Sequence, residues 1–114
     1  GAMGAYADDG EKRELLPCMK TEAIDTTGAG DAFNGAFATA LSEGKDIFEA
    51  MRYGNAAGAL AVTRQGTAPA MALRSEIEKQ LILSRKRFRV SASAVNYEIR
   101  KGRIGILCQR RYYL

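Results

Sequence analysis

The sequence predicts a layered α/β fold, and three observations carry that prediction. A hairpin signal opens the chain, two helical segments heavy in Ala and Gly follow the strand-like part, and a third amphipathic segment closes the patterned region. Helices of this kind preceded by strands fit the end of a layered α/β protein better than a free-standing bundle. At 114 residues the chain has room for one modest domain with a core, not for two.

Taken in order, residues 4–8 (GAYAD) and 13–16 (RELL) flank Asp9-Gly10, a strong turn dipeptide, which predicts two short strands around a turn. After Pro17, residues 21–24 (TEAI) extend as another short strand into Asp25-Thr26-Thr27, a loop rich in side-chain oxygens. From Ala29 to Glu43 the residues Ala32, Phe33, Ala36, Phe37, Ala40 and Leu41 recur at helical spacing, and Gly44 is a good stop. Asp46 caps a second helix running to about Thr63. Within it Gly54 and Gly58 each cost about 1 kcal/mol relative to Ala, which points to close packing or close approach of a ligand. "RQGTAP", 64–69, is a loop by its Gly and Pro. A third helix follows from about Ala72 through Ile82, with Leu73, Ile77 and Leu81 as its apolar stripe.

The net charge of +4 is unevenly distributed. Residues 1–83 hold eight Lys/Arg against twelve Asp/Glu, whereas residues 84–114 hold nine against the single Glu98. This divides the chain into a patterned region, 1–83, and an irregular basic tail, 84–114, with little helical periodicity and a candidate hairpin around Lys101-Gly102. The basic character belongs to the tail, so it argues weakly for nucleic-acid binding by the folded part. No apolar run reaches eighteen residues and no secretion-type leader opens the chain, so a soluble, cytoplasmic protein without a membrane partner is expected. Cys18 and Cys108 have no paired spacing, and with no histidine present a structural zinc site is not expected; both read as bystanders.

The stretch "DTTGAGDAFNG", 25–35, carries the chemistry. A helix N-terminus exposes unpaired N–H groups and the positive end of its dipole, so Gly28-Ala29-Gly30 lets a phosphate approach the backbone. Asp31, in the first turn, would stand within reach of the oxygen attacking that phosphorus and accept its proton. Phosphoryl transfer asks mainly for such positioning and charge stabilisation. Glycine before a helix and an acid in its first turn are also ordinary stabilising features, and "GAGD" alone does not choose between the two readings. Neither the P-loop spacing nor the dinucleotide G-x-G-x-x-G is present.

"DTTGAGDAFNGAFATAL" resembles the C-terminal signature of the ribokinase (PfkB) family of sugar kinases, and the similarity runs in register from Gly1 to about Leu81. "GAMG" at 1–4 resembles the family's Gly-x-x-Gly turn against the nucleotide phosphates, with a cloning scar as the other reading of "GAM". "RYGNAAGALAVTRQGTAP" resembles the helix and loop flanking the adenine and a monovalent cation. The resemblance implies the C-terminal part of a three-layer α/β/α fold. It implies Asp31 as catalytic base facing the sugar hydroxyl, with Gly28, Ala29 and Gly30 as the anion hole.

It further implies nucleotide contacts from Gly1, Ala2, Met3, Gly4, Gly30, Asp31 and Asn55, Asn55 lying near the adenine. For Asn55 an exposed polar helix position is the other reading. Asp25, Thr27, Ala61, Arg64, Gly66 and Ala70 match the loop that holds a monovalent cation, usually K⁺; relatives often have serine at the place of Ala70, and Asp25 also reads as a plain turn residue. ATP and Mg²⁺ are the implied cofactors, the Mg²⁺ ligands falling mostly upstream, and a homodimer is an option for the full-length protein. "TRQGTAP" lies closer to ribokinases than to other branches, which implies ATP-dependent phosphorylation of D-ribose at O5. Family chains are roughly three to four times as long as the matched stretch, so a C-terminal fragment is expected, with an incomplete core, exposed apolar surface, weak nucleotide binding and no activity alone. A non-catalytic nucleotide-binding module, and nucleic-acid binding through the tail with Phe88, Tyr97, Tyr112 and Tyr113, are the competing functions. A frame-shifted or fused origin is a further reading of the tail.

Overall fold

The computed structural model describes residues 1 and 3–95, with side chains as far as Arg85. Ala2, the candidate hairpin around Lys101-Gly102, Cys108 and the tail aromatics lie outside the described residues. Strands β1 (Ala5–Asp8) and β2 (Arg13–Leu16) pair antiparallel, from Ala5 opposite Leu16 to Asp8 opposite Arg13. Their turn is closed by its own carboxylates. Asp8 Oδ1 accepts the Gly10 N–H at 2.9 Å, and Asp9 Oδ1 accepts those of Glu11 at 3.0 Å and Lys12 at 2.7 Å. Local side-chain acceptors of this kind are why Asp-Gly marks a turn.

One face of the hairpin buries Ala7 against Phe48 and Met51, with Ala5, Leu16, Phe33, Phe37 and Ile47 packed around them. The other face exposes the cross-strand pair Tyr6 and Leu15.

Helix α1 (Ala29–Ser42) ends where the sequence says it should, with Gly44 at φ 85°. Lys45 N–H reaches back to the Ala40 carbonyl and Gly44 N–H to that of Leu41, the pair of bonds that makes a Schellman stop. Helix α2 (Ile47–Ala61) starts at Asp46, whose side chain accepts the Glu49 N–H at 2.8 Å. The two helices lie in close contact because α2 presents glycines. A methyl group at position 54 would stand 3.0 Å from both the Phe33 ring and the Phe33 carbonyl, and one at position 58 would stand 3.2 Å from the Ala29 carbonyl. Packing therefore accounts for the helix-propensity cost of both residues. The core is correspondingly small-grained: Ala32, Ala40, Ala50, Ala56, Ala57, Ala59, Ala61 and Ala70 are buried, with Phe48, Met51 and Ile77 as its larger members.

Three expectations are corrected. Residues 21–24 form no strand; the Ile24 and Asp25 N–H groups both donate to the Val62 carbonyl instead, at 2.7 and 3.1 Å, because no described strand lies beside them to pair with. The 64–69 loop contains a 3₁₀ turn, Ala68–Ala70. Helix α3 (Arg74–Val95) begins two residues later than the apolar pattern suggests and runs on past residue 84. Once a helix is nucleated, the high propensities of Arg, Lys and Ala extend it without an apolar stripe. That stripe is also shorter than expected: Ile77 is buried and Leu81 half-buried, but Leu73 is 70% exposed.

Candidate active site

The mouth of α1 is built by Gly28. It adopts φ 78°, a left-handed conformation natural to glycine, and provides no side-chain cap for the helix. Ala29 N–H turns back to the Thr26 carbonyl at 3.3 Å, but the N–H groups of Gly30 and Asp31 have no acceptor among the described residues. These are the orphan donors of a helix start, aligned with the positive end of its dipole. Gly30 is exposed, and a Cβ there would meet nothing within 4 Å. Position 30 is therefore open to solvent rather than covered by a neighbouring side chain.

Asp31 is exposed, and its carboxylate has no partner among the described residues. It stands at one end of a cleft of about 280 Å³ between α1 and the start of α3, whose walls include Ala36, Thr39, Tyr53, Met71 and Ile77. The lining also includes Arg74, whose guanidinium is doubly bonded to the Glu43 carboxylate. A single free carboxylate beside two free amides at one cleft end is the arrangement that proton acceptance beside a bound anion requires.

Behind the mouth, Asp25 ties two loops together. Its Oδ1 accepts the Thr27 N–H at 2.9 Å and its Oδ2 the Gly66 N–H at 3.0 Å. The Gly66 amide, then the Thr27 hydroxyl and amide, hold the carboxyl down to about 2. The local turn reading of Asp25 is thus half of its role; its other oxygen reaches 41 residues along the chain. Thr67, next to Gly66, lies against Gly28, its methyl carbon 3.2 Å from the place a Gly28 Cβ would occupy. Asp25, Gly28, Gly66 and Thr67 accordingly form one cluster.

The remaining sequence candidates sort around it. Ala61 is buried, and its carbonyl accepts the Arg64 N–H at 3.2 Å; Ala70 is buried, without a side-chain oxygen to offer. Thr27 is exposed and Arg64 half-buried. Gly4 N–H donates to the Gly1 carbonyl at 2.9 Å, and Met3 is exposed. Gly4 has φ 108° and sits so close to β2 that a Cβ would fall 2.1 Å from the Leu16 carbonyl oxygen and 2.8 Å from the Pro17 Cα.

Asn55 is buried in α2 rather than exposed, and its Nδ2 donates to that same Pro17 through the carbonyl, at 2.9 Å. Gly4 and Asn55 thus share Pro17 as a neighbour. Sequence reasoning missed Thr67 and the cleft residues Tyr53, Met71 and Arg74, because their place depends on tertiary contacts rather than a local pattern. Among the described residues no group of three Asp, Glu, Cys or His side chains is placed to hold a metal ion, and no helix is long and apolar enough to cross a membrane.

A glycine-built helix mouth with a free acid in its first turn, on helices packed beside a strand hairpin, marks the chain as part of an α/β protein. Residues 1–73 match the pfkB family carbohydrate kinase, and the chain belongs to that family. It is 47% identical to ribokinase from Bacillus subtilis over 81 residues, which is 71% of this chain and 28% of that protein. Among solved structures it is similar to ribokinase from Thermotoga maritima, with a TM-score of 0.67 and 44% identity over 71% of this chain and 27% of that one. It is also similar to Arabidopsis thaliana ribokinase complexed with ribose and ATP, with a TM-score of 0.65 and 38% identity over 70% and 26%. The chain thus spans about a quarter of the length of the relatives it matches.

Proposed function

We propose that this chain is the phosphoryl-binding end of an ATP-dependent sugar kinase, with D-ribose, phosphorylated at O5, as the substrate. The observation that carries the reading is the open mouth of α1: the free Gly30 and Asp31 amides, the unobstructed Gly30 and the unpaired Asp31 carboxylate in one place. In this reading the free amides of Gly30 and Asp31, at the mouth shaped by Gly28 and Ala29, stabilise the equatorial oxygens of the migrating phosphoryl group, and the Asp31 carboxylate takes the proton from the attacking hydroxyl. The turn at Gly1–Gly4 and Asn55 flank the nucleotide. The likeness to a ribokinase solved with ribose and ATP favours this substrate pair.

A monovalent cation is the ligand that the likeness to the family assigns to the Asp25 loop, whose ionised carboxylate is tied to the Thr27 and Gly66 amides. Such an ion would supply positive charge behind the anion hole. The Mg²⁺ that accompanies ATP in this reading takes its ligands mostly from residues outside the matched stretch. Residues 1–83 carry the kinase part in this reading, and 84–114 are an appendage to it.

The test is a ribose-dependent ADP-release assay on the protein that carries this chain together with its upstream sugar-binding part. Asp31→Asn is expected to lower kcat by about 10²–10⁴-fold while leaving ATP affinity nearly unchanged. Undiminished turnover by that variant would remove Asp31 from the mechanism. ATP binding without any sugar-dependent ADP release would favour a non-catalytic nucleotide module.

A further inference from the structure

The connection between α2 and α3 forms one side of the candidate mouth. It delivers Gly66 N–H to Asp25, lays Thr67 on Gly28 and lines the cleft with Met71 and Ala72. Both ends of this connection converge on one side chain, Glu76. At the near end, Arg64 leaves the turn after α2 and meets the Glu76 carboxylate through both terminal nitrogens, Nη2 on Oε1 and Nη1 on Oε2, the latter at 3.3 Å. At the far end, Glu76 Oε2 accepts the Leu73 N–H at 2.7 Å, while the Leu73 carbonyl accepts the N–H groups of Glu76 and Ile77 at 3.0 and 3.1 Å. This is the returning half of a capping box, with leucine where a serine or threonine would ordinarily complete it. The Arg64 guanidinium first, and the Leu73 amide second, hold the Glu76 carboxyl below the usual glutamate range.

From this geometry we infer that Glu76 is a positioning residue for the mouth of α1: it clamps residues 64–73 at both ends, and the clamp fixes Gly66 and Thr67 against Asp25 and Gly28. A loop closed at one end by a bidentate ion pair and at the other by an amide bond to the same carboxylate has few alternative conformations left, and that is what an anion site built partly on loops needs. The inference rests on the phosphoryl-site reading for its effect on ligand binding; the clamp itself rests on the contacts alone.

The experiment uses the 114-residue chain with Glu76→Gln, Glu76→Ala and Arg64→Ala, and ADP as the added ligand. The Gly66 amide, read by hydrogen exchange, and the NOE between the Thr67 methyl and Gly28 report the clamp. The Ala56 and Ala57 amides in buried α2 report general stability. Glutamine keeps an acceptor for Leu73 N–H but gives up the charged pair. Glu76→Gln is therefore expected to speed Gly66 exchange by about tenfold and weaken the Thr67–Gly28 NOE, with Ala56 and Ala57 exchange unchanged. Arg64→Ala is expected to do the same, and the Arg64→Ala/Glu76→Gln double variant to do no more than either alone.

Unaltered Gly66 exchange in all three single variants would overturn the clamp, as would acceleration of Gly66, Ala56 and Ala57 exchange by one common factor. Loss of ADP-induced shifts at Gly30 and Asp31 in the variants, present in the parent chain, would extend the role to the ligand. Absence of those shifts in the parent would count against the phosphoryl-site reading alone, because the Gly66 result stands apart from it.

Discussion

In α2, Gly54 and Gly58 face α1 so closely that an added methyl would press on Phe33 and on the Ala29 carbonyl; in α1, Gly30 and Gly35 face nothing within 4 Å. The same residue type thus occurs in neighbouring helices under opposite conditions. Tertiary packing accounts for the first pair, since only a missing Cβ lets the helix backbones approach so near. Packing gives no account of the second pair. Both residues of that pair sit in the half of α1 that begins at the mouth, Gly30 beside the free amides and Gly35 on the cleft wall. The difference separates a glycine that stabilises the protein from one whose cost the protein bears without structural return.

Substitutions by alanine sharpen this contrast. Gly54→Ala is expected to destabilise the chain by about 1–3 kcal/mol, the usual cost of overpacking, read as a lower urea midpoint with unchanged m. Gly58→Ala, with 3.2 Å rather than 3.0 Å of clearance, should cost less. A stabilised Gly54→Ala variant would show that α1 and α2 give way and that the packing account is wrong. Gly30→Ala should behave oppositely, raising stability by up to about 1 kcal/mol because alanine is the better helix former and meets no neighbour. The same methyl stands where an anion would approach, so ADP-induced shifts at the Asp31 amide should weaken. Unchanged ADP binding by this more stable variant would mean that the open mouth holds no phosphate.

The contrast also explains what was legible in the sequence. The hairpin, the stop of α1 and the start of α2 are written locally: Asp9-Gly10, Gly44 and Asp46 act on backbone groups within a few residues, so short-range reasoning finds them. The two α2 glycines were legible only as a pair of alternatives, because which partner approaches is a tertiary fact.

Asn55 is a sharper instance. Neither sequence reading placed it on the Pro17 carbonyl, 38 residues away, and no local pattern encodes that bond. The supposed strand at 21–24 failed for the complementary reason: strand pattern needs an adjacent strand, and the Val62 carbonyl took its amides. Asp31 and the Gly28–Gly30 mouth were legible as a motif, yet the free amides and the open position 30 became visible only in three dimensions.

The smallest effect concerns the tether behind the mouth, and it tests whether the loops there are held as firmly as the α2 packing. Asp25 is lowered from its ordinary 3.8 to about 2 by the Gly66 amide above all, and by Thr27. A carboxylate bound this way in the folded state favours folding while it is ionised, so its contribution is complete above the unfolded value and disappears as pH falls toward about 2. Other lowered carboxylates, Asp8, Asp9, Glu43 and Glu76, lose their partners in acid as well. The informative quantity is therefore the difference between the parent and Asp25→Asn. Asparagine offers one acceptor where the carboxylate uses two, so the variant should show fast Gly66 exchange already at neutral pH. The gap between the two chains should stay constant above about pH 4 and close between pH 4 and about 2. A gap that closes near neutrality, or does not exist, would mean that Asp25 does not hold the Gly66 loop, and the mouth would then owe its shape to Gly28 alone.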